Sequence, residues 1–196
     1  MTLARIKRVA VVYCQGGGLA QRIAQGQREY AGCREALEAL RAGEIPGAAP
    51  AGQMSCGAGC LGLGSCAAAC RKEAISVTPG GAAAVEREKC VGCGLCVKAC
   101  PQSLIGLVPQ DMPIAPLCST DLPGPAAKAA CPAGCVSCRM CEKNCPVNAI
   151  SLEGGHPVID GEKCVSCGMC AVKCPRGVIV DAYGIFTPPP RAIGRA

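Results

Sequence analysis

The chain has no Trp, a single Phe and a single His, and only 2% of its 196 residues are aromatic. The rings that usually dominate burial in a domain core are nearly absent, so something other than side chains must fill the middle. Base stacking, the common means of gripping single-stranded nucleic acid, is excluded with them. The lone His156 falls in a predicted turn, and no Ser/His/Asp set or carboxylate pair stands at an informative spacing, which leaves no catalytic constellation. No apolar stretch approaches the ~20 residues of a membrane helix. Val9 to Tyr13 is too short for the apolar core of a signal peptide. The stretch Cys14-Gln-Gly-Gly-Gly18 follows a predicted strand but matches neither G-x-G-x-x-G nor the Walker pattern, and it reads as a turn.

What the chain has in abundance is cysteine, twenty residues of it. Without a secretory signal a disulfide scaffold lacks its oxidising compartment. Zinc sites use paired C-x2-C knuckles, whereas here the cysteines come in runs of four. Cys90, Cys93, Cys96, Cys100 and Pro101 match the C-x2-C-x2-C-x3-C-P run of two-cluster ferredoxins at every spacing. The run recurs at Cys135, Cys138, Cys141, Cys145, Pro146 and at Cys164, Cys167, Cys170, Cys174, Pro175. Two-residue gaps let a tight loop aim three thiolates at one cubane, and the fourth Cys reaches a neighbouring cluster. The radical-SAM spacing C-x3-C-x2-C at Cys131, Cys135 and Cys138 is set aside, because ferredoxin runs crowd both sides of it and such enzymes need a barrel-like domain.

An internal repeat organises the chain from Cys56 onward. Four units each end in a Cys followed five residues later by Ile: Cys70 and Ile75, Cys100 and Ile105, Cys145 and Ile150, Cys174 and Ile179. Between paired units the segments 75–78 and 83–86, and again 150–153 and 157–160, read as hairpins around glycine turns. The fold class is therefore α+β, two tandem two-cluster ferredoxin-like modules with a small N-terminal strand–helix segment. The expected divisions are 1–53 for that segment and its linker, 54–108 for the first module, 109–130 for a Pro-rich connection, 131–181 for the second module and 182–196 for an extended tail. Residues 8–13 read as a buried strand, and the best helix spans about 33–41, with Gly43 as its stop.

Crossing of the fourth Cys assigns the ligands. Cys135, Cys138, Cys141 and Cys174 share one cubane, and Cys164, Cys167, Cys170 and Cys145 the next. In the first module the opening run is stretched, as Cys56, Cys60, Cys66 and Cys70, with Arg71 where Pro is usual. Cys56, Cys60, Cys66 and Cys100 are assigned to one cubane, and Cys90, Cys93, Cys96 and Cys70 to the other. The four remaining Cys, Cys14, Cys33, Cys118 and Cys131, are the number a fifth cubane requires; the competing reading makes some of them buried apolar residues. The formal charge of +6 is offset by the clusters, since four cubanes at about −2 each leave about −2.

The order Arg8-Val-Ala-Val-Val, Cys14-Gln-Gly-Gly, Tyr30-Ala-Gly-Cys33, Cys60-Leu-Gly-Leu-Gly-Ser-Cys66, Leu117-Cys118 and then the double run resembles the soluble part of the B subunit of the Rnf ferredoxin:NAD oxidoreductase complex. The resemblance leaves out the membrane anchor and the further Fe–S domain with which that polypeptide normally begins. It implies electron transfer through [4Fe-4S] clusters between ferredoxin and a flavin-containing oxidoreductase partner, within a multi-subunit complex in the cytoplasm or against the inner face of the membrane. The alternative is the electron-input subunit of a soluble flavoenzyme complex unrelated to ion pumping. Lys89, Lys98, Lys143, Lys163 and Lys173 stand beside cluster ligands, where they could meet an acidic partner.

Overall fold

The computed structural model describes residues 7–16, 28–45, 56–79 and 81–187. Part of the helix-prone stretch before Cys33, most of the linker before Cys56 and the end of the tail lie outside the described residues. Among those described, the strands form four two-stranded antiparallel ribbons. Strand β1 (Arg8–Val12) pairs with β4 (Ile105–Pro109), with Val9 opposite Val108. Strand β2 (Ile75–Val77) turns back into β3 (Ala83–Val85). The second half repeats the plan: β5 (Ile114–Pro116) pairs with β8 (Ile179–Asp181), and β6 (Ile150–Glu153) forms a hairpin with β7 (His156–Ile159). In each half, then, a hairpin joins the paired cysteine runs, and a second ribbon borrows its outer strand from the segment in front of the module.

Helices are short. Beyond α1 (Cys33–Arg41) they are α2 (Ser65–Ala68), α3 (Leu95–Ala99), α4 (Gly124–Ala130), α5 (Met140–Lys143) and α6 (Met169–Val172). Helix α1 buries Cys33, Ala36, Leu37 and Ala39 on one face against Leu61 and ends at Gly43, whose backbone takes φ 73°. A left-handed glycine after the last turn is the common helix stop, because only glycine adopts it without strain. No described helix is long and apolar enough to cross a membrane.

The segment 109–130, expected as a Pro-rich connection, holds β5 and α4. Its prolines are compatible with both elements. Pro116 sits in a two-stranded ribbon, which tolerates a missing donor, and Pro125 opens α4, where a fixed φ suits the first turn. The buried Arg87 donates to the carbonyls of Gln110 and Met112 at 3.0 Å, fastening the first module's hairpin to the start of this segment.

The core is built of small and branched side chains. Val9, Ile114, Val178 and Ile179 are the largest fully buried apolar residues. Strand β1 has Val9 to Val12 all buried. Its backbone runs so close to the loop of the second cysteine run that a Cβ added at Gly92, itself at φ 66°, collides with the carbonyl of Arg8.

Candidate metal centres

Each cysteine run begins as a loop with the same backbone. Two residues in the left-handed region bracket its middle position: Gly92 and Gly94 around Cys93, Ser137 and Arg139 around Cys138, Ser166 and Gly168 around Cys167. Alternating left-handed residues curl the chain so that successive thiols face inward. The stretched first run keeps this geometry, with Gly62 and Gly64 at φ 76° and 72°. The residue they bracket is Leu63, not Cys.

The last Cys of each run is held by a second repeated device. Three residues after it stands another left-handed residue, Glu73, Ser103, Asn148 or Gly177. The turn it makes points the next backbone N–H back at the sulfur. Ala74 N–H donates to Cys70 Sγ at 3.4 Å, Leu104 to Cys100 at 3.4 Å, Ala149 to Cys145 at 3.2 Å and Val178 to Cys174 at 3.3 Å. From outside the runs, Ala10 in β1 adds a donor to Cys90 Sγ at 3.3 Å. N–H groups aimed at a sulfur stabilise it as a thiolate, which is the form that binds iron.

Four cavities are each lined by four thiols. One is lined by Cys70, Cys90, Cys93 and Cys96. A second is lined by Cys135, Cys138, Cys141 and Cys174, and a third by Cys145, Cys164, Cys167 and Cys170. In all three, one thiol comes from the partner run. The fourth cavity departs from the expected set: its thiols are Cys33, Cys60, Cys66 and Cys100. Cys56, expected there, is not among them. Cys33 reaches the cavity from the first turn of α1, where its N–H donates to Ser65 Oγ at 2.9 Å, and Leu63 packs against the α1 cluster. Helix α1 thus supplies the thiol that the first run lacks at position 63. Cys56 lies instead near Cys118 and Cys131, and Cys14 near Cys56 and Cys60.

These walls fit a cubane better than a single ion. No three Cys, His, Asp or Glu among the described residues converge closely enough to hold one metal ion, as a tetrahedral zinc site requires. The thiols ring a space instead. Burial pushes the thiol pKa of Cys170 up to about 12 and those of Cys66 and Cys135 up to about 11, with neighbouring thiols adding to the rise. Iron would supply the positive charge that buried thiolates need, while their protons leave. Cys93, Cys138 and Cys167 are exposed, whereas Cys33, which takes the matching role in the first cavity, is buried.

The crossing gives a direct test. Cys70→Ala is expected to destroy or degrade the cubane of Cys90, Cys93 and Cys96, and Cys100→Ala that of Cys60 and Cys66, each removing up to about four iron atoms per chain. Cluster-resolved electron paramagnetic resonance of the two variants distinguishes the losses. The reverse pattern would show that each run closes its own site.

Comparison with known proteins places these features. Residues 57–107 and 134–178 each match the 4Fe-4S dicluster domain. The chain is 37% identical over 161 residues to the B subunit of the Na(+)-translocating ferredoxin:NAD(+) oxidoreductase complex of Acetobacterium woodii, an alignment covering 81% of this chain and 44% of that protein. The chain therefore spans less than half the length of that relative. Among solved structures, a chain of the formate dehydrogenase–heterodisulfide reductase–formylmethanofuran dehydrogenase complex from Methanospirillum hungatei is 24% identical, with 62% of this chain and 51% of that chain covered and a TM-score of 0.25.

Proposed function

This chain carries two 4Fe-4S dicluster domains in tandem and is a homologue of the B subunit of a ferredoxin:NAD(+) oxidoreductase complex, and from that premise we propose that it relays electrons between ferredoxin and a flavin-containing oxidoreductase partner. The observation that carries the reading is the set of cavities walled by four thiols apiece. When bound, a cubane accepts and returns one electron with little change of shape. The protein's part is to fix spacing, burial and hydrogen bonding. The N–H donors behind Cys70, Cys100, Cys145 and Cys174 raise the affinity of their sites for an electron, because they offset the negative charge on sulfur. With twenty thiols and four cubanes using sixteen, a fifth cubane belongs to the same relay.

Partners approach where a ligand meets solvent. Cys93, Cys138 and Cys167 are exposed, and the apolar Val91, Met140, Val165 and Met169 beside them are exposed as well. Lys98, Lys143 and Lys173 stand exposed at the ends of α3, α5 and α6. Lys89 and Lys163 are ion-paired with Glu86 at 2.8 Å and Asp160 at 3.0 Å, which reduces the charge they present to a partner. An acidic ferredoxin docking on the first three is steered electrostatically. In stopped-flow mixing of the loaded protein with reduced ferredoxin, the second-order rate is expected to fall about tenfold or more between low and high salt. A rate independent of ionic strength would remove the docking claim, and clusters that dithionite cannot reduce would remove the relay itself.

A further inference from the structure

The second half of the chain repeats the cysteine pattern of the first, including thiols that line none of the four cavities. Cys56 precedes Cys60 by the same four positions that separate Cys131 from Cys135, and Cys60 to Cys66 repeats Cys135 to Cys141. Cys14 stands two residues past the end of β1, and Cys118 two past the end of β5. The residue between is hydrogen-bonded alike in both halves: Tyr13 N–H donates to Leu104 O at 2.7 Å and Leu117 N–H to Val178 O at 2.8 Å. The thiols themselves are held alike too. Cys60 N–H donates to Cys14 Sγ at 3.4 Å, and Cys135 N–H to Cys118 Sγ at 3.3 Å. Each half therefore offers one thiol past its outer strand and one just ahead of its first run.

These four thiols meet where the halves meet. Ser119 Oγ donates to Tyr13 O at 3.1 Å and Gln15 Nε2 to Gly177 O at 2.7 Å, which lays the segment after β1 across the segment after β5. Cys131 Sγ lies 3.9 Å from Gly16 O, and Gly16 N–H points at Cys14 Sγ at 3.4 Å, so Cys131 and Cys14 share a neighbour. Arg176 donates to the carbonyls of Cys131, Pro132 and Gly134, fixing the loop that carries Cys131. We propose that Cys14, Cys56, Cys118 and Cys131 bind a fifth [4Fe-4S] cluster where the two halves of the chain meet, each half contributing an equivalent pair of thiolates.

This set replaces the expected Cys14, Cys33, Cys118 and Cys131, because Cys33 lines the cavity of Cys60, Cys66 and Cys100. Its members are neighbours: Cys56 lies near Cys131 and Cys118, and Cys14 near Cys56. A single zinc ion is disfavoured, since no three such ligands converge on one point among the described residues. The inference rests on the cluster-binding reading of the chain but extends it to thiols that line none of the four cavities.

The test uses the full chain purified without oxygen. Iron and acid-labile sulfide are each expected at about 20 per chain, four for each of five cubanes. Cys56→Ala and Cys131→Ala should lose the same paramagnetic component and bring iron toward about 16, while Cys33→Ala loses a different component. Because a variant can fail to fold, Mössbauer quantitation of the unaltered protein provides the second readout. Iron near about 16 with reducible cubanes overturns the fifth centre and leaves the relay intact. Loss of one and the same component in Cys33→Ala and Cys56→Ala also overturns it, and iron close to zero sinks both readings.

Discussion

Stripping the iron abolishes cooperative folding of this chain. The expected result is a circular dichroism melt of apo-protein with no sigmoidal transition, equivalent to losing the whole ~5–15 kcal/mol margin of an ordinary domain. The reason lies in what remains without metal. The strands form ribbons only two strands wide, which are marginal alone in water. Four of the helices have four or five residues, far below the ~12–15 at which an isolated helix becomes even marginal. The core side chains are mostly Ala, Val, Ile and Cys, and many of the buried thiols face one another across the cluster sites rather than packing on apolar partners. Metal-binding energy is then folding energy. Chelation under reducing conditions followed by a melt checks this, and a cooperative, native-like transition in the apo state would count decisively against it.

Cys33→Ala removes the first module's opening cubane, and Leu63→Cys placed in the same chain restores it. The loop around Leu63 has the left-handed residues on both sides that bracket Cys93, Cys138 and Cys167 in the other runs, so a thiol there points where theirs do. The single variant is expected to lose up to about four iron atoms and one reduced-state signal. The double variant should recover both, with one difference: the restored ligand is nearer to solvent, as Cys93, Cys138 and Cys167 are. Quantitative iron analysis beside spin counting reads the outcome. Full iron occupancy in Cys33→Ala alone would mean that α1 supplies no ligand.

The parts of this architecture that were legible in the sequence are the local ones. A run of four Cys at fixed spacing states its loop geometry, because the intervening residues are too few to do anything else, and the hairpins announce themselves by glycine turns between β-branched segments. Helix α1 was readable from its apolar positions and from Gly43. What escaped was long-range. Ile114-Ala-Pro116 is too short and too rich in proline neighbours to read as a strand, and its register against Ile179–Asp181 is set by a segment far along the chain. Cys33 and Cys56 exchange places for the same reason. Spacing puts Cys56 next to Cys60, and only the packing of α1 against Leu61 and Leu63 brings Cys33 to the cavity. One signal was present but silent: Leu63 occupies the position that holds Cys in every other run.

The pairing of β1 with β4 also gives assembly a direction in time. The second module's two cavities draw every thiol from positions 135–174, a short contour. The first module has a longer contour to close. Val9 must wait for Val108 to find its partner, and Cys33 for Cys100 to complete its cavity. Contacts of such high sequence separation carry a loop-closure penalty that local ones avoid, and they slow folding accordingly. Among the described strands β1 therefore spends the longest interval unpaired during synthesis, an apolar Val-Ala-Val-Val edge exposed until the runs behind it emerge.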